Sequence, residues 1–196
     1  MRDFILQDEE LVKNENVYFV FLIRNPHHAT ISFYKKNKVV NNDASKELLT
    51  KLIGYEPCYE LFDYVKQEAV NAPAIMLSED LYVAPRATLQ SLYKFLDMPF
   101  KDQMLQWSDL GDSFVGAEWS EVMQLETAYL WHEDAIKSTS FKQPAQYLVD
   151  ELGQPTFEEI IEEERRDAYR SAYLEQLPFY NQFFSEQNVS AILKRS

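Results

Sequence analysis

The sequence predicts an α/β fold, with a parallel central sheet flanked by helices in one domain spanning residues 1–196. Three observations predict it. Residues 17–23 read VYFVFLI, a continuous β-branched and aromatic run of strand length, the pattern of a parallel strand covered on both faces. A second apolar run, AIML at 74–77, is followed by an acidic turn and then by Pro85, Leu89, Leu92, Tyr93 and Leu96 at helical spacing. Strand, turn and helix thus occur twice, the alternation that builds parallel sheets.

The remaining elements follow in order. Pro26 suits the first turn of a helix, where the N–H it lacks would have no partner. Residues 45–53 and 57–70 read as helices, with Leu48, Leu49, Leu52, Leu61, Phe62 and Val65 facing inward. Residues 109–116 hold two of the four glycines and read as a loop, and 117–136 as a helix. A second loop runs from Ser138 to Pro144. From Thr156 a long helix begins, with Thr156 as its cap and an acidic block at its positive end. Pro178 is expected to end or kink it.

Composition excludes several functions. With 46% hydrophobic residues, 196 residues bury a substantial core in a single domain. Thirty-two acids against 19 bases give a formal charge of −13, which repels phosphate backbones and anionic lipid. No nucleic-acid partner is expected. Cys58 is the only cysteine, so no intrachain disulfide forms and nothing requires an oxidising compartment. No apolar run approaches bilayer length, which predicts a cytoplasmic protein without membrane insertion. The triplet Asn188-Val189-Ser190 matches a glycosylation acceptor by chance.

Against this acidic background, residues 17–42 contain no Asp or Glu. A strand ending at Arg24 with a helix starting near Pro26 places a βα turn at the carboxyl edge of the sheet, where open α/β folds bind ligands. The helix N-terminus favours an anion, and Arg24 can clamp a phosphate with two hydrogen bonds. Ser32, eight residues on, can donate its hydroxyl to the same group. The residues alone leave a second reading open: Arg24 paired with a surface acid, Ser32 in solvent, and Lys35, Lys36 and Lys38 as a solvated face.

Other polar clusters predict less. His27 and His28 read as surface or capping residues, one of them a supplementary donor to the phosphate. His132-Glu133-Asp134 lacks zinc-ligand spacing, so no metal is expected there. Cys58 reads as a small packed residue and not as a nucleophile. Arg165, Arg166 and Arg170 are expected to pair with glutamates one turn away.

Arg24-Asn-Pro26 with Ser32 resembles the 3′-phosphate segment of the sulfotransferases that use 3′-phosphoadenylyl sulfate (PAPS), a P-loop-related family. AIMLSEDLYVAPRATLQSLYKFLDMPF resembles that family's strand, Glu-Asp-Leu turn and helix, and HEDAIKSTSF and YLEQLPFYNQFF resemble its later segments. The resemblance implies transfer of a sulfuryl group from PAPS to a hydroxyl or amine acceptor. It implies that PAPS or 3′,5′-adenosine bisphosphate is held by Arg24 and Ser32, with hydroxyls from Ser138 and Thr139. Phe141 would stack on adenine, its alternative role being core packing.

Two departures qualify it. No glycine precedes Gly54, so the family's phosphate-wrapping loop has no counterpart, and the chain reads as an N-terminally shortened member. MRDFILQ resembles the family strand that leads to a catalytic histidine, with Gln7 or a neighbour in that place, and glutamine cannot act as a general base. The resemblance thus implies either an enzyme completed by further N-terminal residues or a non-catalytic domain binding a protein partner or a nucleotide without turnover. A partner protein or second copy would then cover the exposed sheet edge.

Overall fold

A computed structural model describes residues 9–39, 45–107, 137–141 and 157–189. The expected MRDFILQ strand, the 109–116 loop, the 117–136 helix with His132-Glu133-Asp134, and the Thr156 cap lie outside them. In chain order the elements are α1 (Glu9–Val12), β1 (Val20–Ile23), α2 (Pro26–Val39), α3 (Lys46–Ile53), α4 (Tyr55–Glu68) and β2 (Ala74–Leu77). These are followed by α5 (Ser78–Val83), α6 (Pro85–Phe95), a 3-10 turn (Asp102–Leu105), α7 (Phe157–Ile160) and α8 (Glu163–Glu186).

β1 and β2 pair in parallel, Val20 opposite Ala74 through Ile23 opposite Leu77, with α2, α3 and α4 in the crossover between them. The architecture is therefore α/β, mostly helical around a small parallel sheet. The C-terminal chain closes the outer edge of β2. Val189 N–H donates to the Ile75 carbonyl at 3.1 Å. Asn188 accepts from Ile75 N–H at 2.8 Å and donates to the Pro73 carbonyl at 2.9 Å. Both ends of that amide are thus used by the sheet, so a glycan on Asn188 would break two edge bonds.

Side chains alternate across the strands. Phe21, Ile23, Ile75 and Leu77 enter a core with Phe62 and Val65 of α4 and Phe183 of α8. Ala74 and Met76 enter a second core with Leu81, Leu92 and Val189. Val20 and Leu22 share that second face but are 41% and 54% exposed. This corrects the expectation of a strand covered on both faces: the second core gathers over β2 from α5 and α6, and includes no β1 residue. Leu48 and Leu52 also point outward, while Leu49 of the same helix is fully buried.

Helix ends follow local chemistry where it is strong. Ser45 caps α3 by accepting from Leu48 N–H at 3.3 Å, and Gly54 ends it with φ of 66°. Pro26 and Pro85 are the first residues of α2 and α6. The long C-terminal run departs from expectation near its start. It breaks at Ile161–Glu162, because Ile161 is buried in a third core with Tyr34, Leu49 and Tyr169, and the Tyr34 hydroxyl accepts Glu162 N–H at 3.3 Å. Beyond that break the helix continues through Pro178, so of the expected end or kink there the end does not occur. A proline inside a helix costs about 3 kcal/mol. Phe183, fully buried beyond it, recovers roughly that much, and Phe179 and Tyr180 pack on the same core.

Candidate functional site

Arg24 is the first residue past β1. Asn25 Oδ1 accepts His27 N–H at 2.9 Å, a local turn that launches α2. Glu79, two residues past β2, reaches across. Its Oε1 accepts Asn25 N–H at 2.8 Å and lies 3.4 Å from His28 Nδ1, while the Ser78 hydroxyl donates to Oε2 at 3.3 Å. A protein carboxylate therefore sits at the start of α2, where the sequence predicts a phosphate. Burial pushes the Glu79 carboxyl up, but hydrogen bonds from His28 and Asn25 N–H outweigh it and hold the group below its ordinary value.

The corner between α3 and α4 closes on the same edge. Tyr55 is buried, and its hydroxyl donates to the Arg24 carbonyl. Burial, reinforced by Glu79, holds that hydroxyl protonated well above its ordinary range. Burial likewise lowers the Arg24 guanidinium, an effect that nearby Tyr82, Glu79 and Tyr55 oppose.

A cavity of about 290 Å³ opens here. β1 contributes Leu22, Ile23 and Arg24, α2 contributes Ala29 and Phe33, and the α3–α4 corner contributes Ile53, Tyr55 and Cys58. Among the described residues, Arg24 is the one charged side chain lining it. Cys58 is half-buried, and burial pushes its thiol up, which favours the protonated form.

Ser32 is half-buried on α2, four residues after His28 and so on the stripe below it; it is not among the described residues that line the cavity. Ser138, Thr139 and Phe141 stand elsewhere. Trp107 Nε1 donates to Ser138 Oγ at 3.2 Å, and Trp107 N–H donates to the Thr139 carbonyl at 3.0 Å. Phe141 meets Trp107 edge-on at 5.1 Å and packs on the Met76, Leu81 and Leu92 core. These neighbours share no residue with the lining of the Arg24 cavity.

His27 and His28 are not surface residues. His28 faces Glu79, and His27 stacks on Phe157 with ring centroids 4.8 Å apart. Sequence reasoning also missed Glu79 and Tyr55. Glu79 left a signal: an acid two residues past the second strand, opposite a first turn that holds no acid.

No family model and no solved structure matches the chain. A curated relative, branched-chain-amino-acid aminotransferase-like protein 2 of Arabidopsis thaliana, is 29% identical over 136 residues, which is 68% of this chain and 20% of that protein. The chain thus spans about a fifth of the length of the relative it matches. This corrects the sulfotransferase resemblance: the relative carries the name of a different family, and PAPS binding and sulfuryl transfer gain no support. The physical reason is that the resembling residues serve local structure. Asn25 turns the chain, Pro26 starts a helix, Glu79 holds Asn25, and Asp80 accepts from Gln187 Nε2 at 2.9 Å. Any βα unit can use them so. No helix among the described residues is long and apolar enough to cross a membrane. Fold and site together define an α/β domain with a cavity at the carboxyl edge of a parallel strand pair that, among the described residues, is lined by Arg24 and otherwise largely apolar residues.

Proposed function

We propose that the chain is a small-molecule-binding α/β domain whose ligand is an organic acid with an apolar body, and that Arg24 supplies the counter-charge. One observation carries this reading: among the described residues, half-buried Arg24 is the one charged residue lining a cavity built otherwise from aliphatic and aromatic residues, Cys58 and Gly54. An apolar body gains by leaving water, and a carboxylate or phosphate matches the arginine fork with two hydrogen bonds. The cavity's place at the carboxyl edge of the strands supports the same reading. The name of the Arabidopsis relative contains the branched-chain amino acids, which are apolar acids of this kind, and it bears here on ligand class alone.

Calorimetric titration with 4-methyl-2-oxopentanoate tests the proposal. Binding is expected, weakened about tenfold or more in Arg24→Ala. Arg24→Lys should be intermediate, because a lysine keeps the charge and loses the fork. 3′,5′-Adenosine bisphosphate forms a second arm; binding of the nucleotide through Arg24, with none of the oxo acid, would replace the apolar acid by a nucleotide ligand. Absence of binding in both arms overturns the proposal.

A further inference from the structure

We infer that β1 takes a third, parallel strand along its outer edge, and that this strand is the apolar C-terminal end of a peptide whose carboxylate meets Arg24. The inference rests on the reading of Arg24 as the partner of the ligand's acid, and it identifies that acid as a chain end. Backbone directions supply the geometry. Ala74 N–H donates to the Phe19 carbonyl at 2.9 Å, so Phe19 turns its carbonyl toward β2. Backbone groups alternate in direction along a strand, so Phe21 and Ile23 also face β2, and the N–H and C=O of Val20 and Leu22 point away from it. Among the described residues, no group hydrogen-bonds to that side of β1. The opposite edge of the sheet is closed: Ile75 donates its N–H to Asn188 and accepts at its carbonyl from Val189. β1 thus offers two donors and two acceptors in line, the template on which a strand adds.

The cavity lies along the same edge. Leu22, Ile23 and Arg24 are consecutive, and all three line it. Neighbouring side chains of a strand point to opposite faces, so a cavity that touches all three abuts the edge of the strand. An added strand sends alternate side chains into that cavity, toward Phe33, Leu52 and Ile53, and sets the others beside the exposed side chains of Val20 and Leu22. It covers apolar surface on both faces. Arg24 fixes the direction. A parallel strand brings its carboxylate to the carboxyl edge, whereas an antiparallel one brings its ammonium there, against the guanidinium. The Tyr55 hydroxyl, which donates to the Arg24 carbonyl, closes the edge at that point, so the added strand ends there. A cavity of about 290 Å³ is at the small end of ligand sites and suits a chain end. Residues 17–42 hold no acid, so the incoming carboxylate meets no like charge from β1 or α2.

The test titrates the chain with acetyl-Lys-Val-Ile-Val-Leu, with the same peptide amidated at its C-terminus, and with versions N-methylated at each of the last three residues in turn. The free acid is expected to bind about tenfold more tightly than the amide, and Arg24→Ala to abolish that difference. N-methylation should alternate in effect, about tenfold loss at one position and little change at the next, because only every second N–H faces β1. The methylation series uses the wild-type chain and stands even if the variant fails to fold. Binding of 4-methyl-2-oxopentanoate through Arg24, with no binding of the peptide or with equal losses at all three positions, overturns the added strand and leaves the Arg24 reading intact. Equal binding of acid and amide overturns the chain end. Failure of the oxo acid and the peptide alike overturns the Arg24 reading and this inference with it. Light scattering on the peptide-free chain is the remaining arm: a dimer that the peptide does not dissociate assigns the edge to a second copy and overturns the inference.

Discussion

Tyr55 joins three parts of the molecule through two polar groups. Its hydroxyl donates to the carbonyl of Arg24, its N–H donates to Gln176, and its ring is buried against the sheet. Removing the hydroxyl leaves a half-buried carbonyl without that donor, a loss of roughly 1–3 kcal/mol. Tyr55→Phe should lower the urea midpoint accordingly, and an unchanged midpoint would show that the bond contributes nothing net. The residue before it is constrained for a different reason. Gly54 has φ of 66°, and a Cβ there would stand 3.1 Å from the Lys51 carbonyl oxygen. Left-handed backbone costs an L-residue about 1–2 kcal/mol, so Gly54→Ala should destabilise by at least that much in the same assay.

Among the elements, α4 depends on a residue 121 positions away for its N-terminal cap. Gln176 of α8 is 1% exposed, and its Oε1 accepts Tyr55 N–H at 2.7 Å and Glu56 N–H at 3.2 Å. The side chain before α4, that of Gly54, cannot cap, so the donors at the helix start are met from outside. Gln176→Leu would keep the volume and strand both donors, an expected loss of about 2–4 kcal/mol in urea unfolding. The helix pair itself supplies a comparison. Thr50 donates to Glu175 at 3.0 Å between the neighbouring α3 and α8, but in water, so Thr50→Ala should leave the midpoint nearly unchanged. Equal losses from the two variants would contradict a cap that matters because it is buried.

For the whole molecule, acid should weaken folding in two separable steps. Burial, with a smaller push from His28, lowers His27 from its ordinary value of 6.5. The folded chain then binds this proton less readily than the unfolded chain, and stability present above pH 6.5 is lost as pH falls through the folded value. Glu79 is also depressed, so its contribution is present above pH 4.5 and is lost below it. The exposed pairs Lys38–Glu162 and Lys46–Glu175 depress their carboxylates as well and act in the same lower range. The interval between about pH 7.5 and 5.5 therefore reports on His27. The urea midpoint should fall across it, and His27→Phe, which preserves a ring against Phe157, should flatten the fall. A wild-type midpoint that holds steady across this interval would show that His27 titrates alike in both states.

How much of this was legible in the sequence depended on the distance over which each cause acts. The two strand-turn-helix units, the Ser45 cap and the proline starts of α2 and α6 come from periodicity and capping chemistry within a few residues. Arg24 was legible at a strand end because β1 ends where its apolar run ends. The partners of that edge were not. Asn25 and Glu79 are 54 positions apart and Tyr55 and Gln176 are 121 apart, so only the parallel register and the path of α8 bring them together. The Arg-Asn-Pro and Glu-Asp-Leu stretches misled for the same reason: each was legible as a turn, but which carboxylate occupies which helix end is a property of packing. Amino-acid order alone determined an α/β chain with an arginine at the edge of a parallel strand. Tertiary structure decided that this arginine lines an apolar cavity and that a glutamate stands beside it, because burial and charge proximity arise only when distant segments share one space.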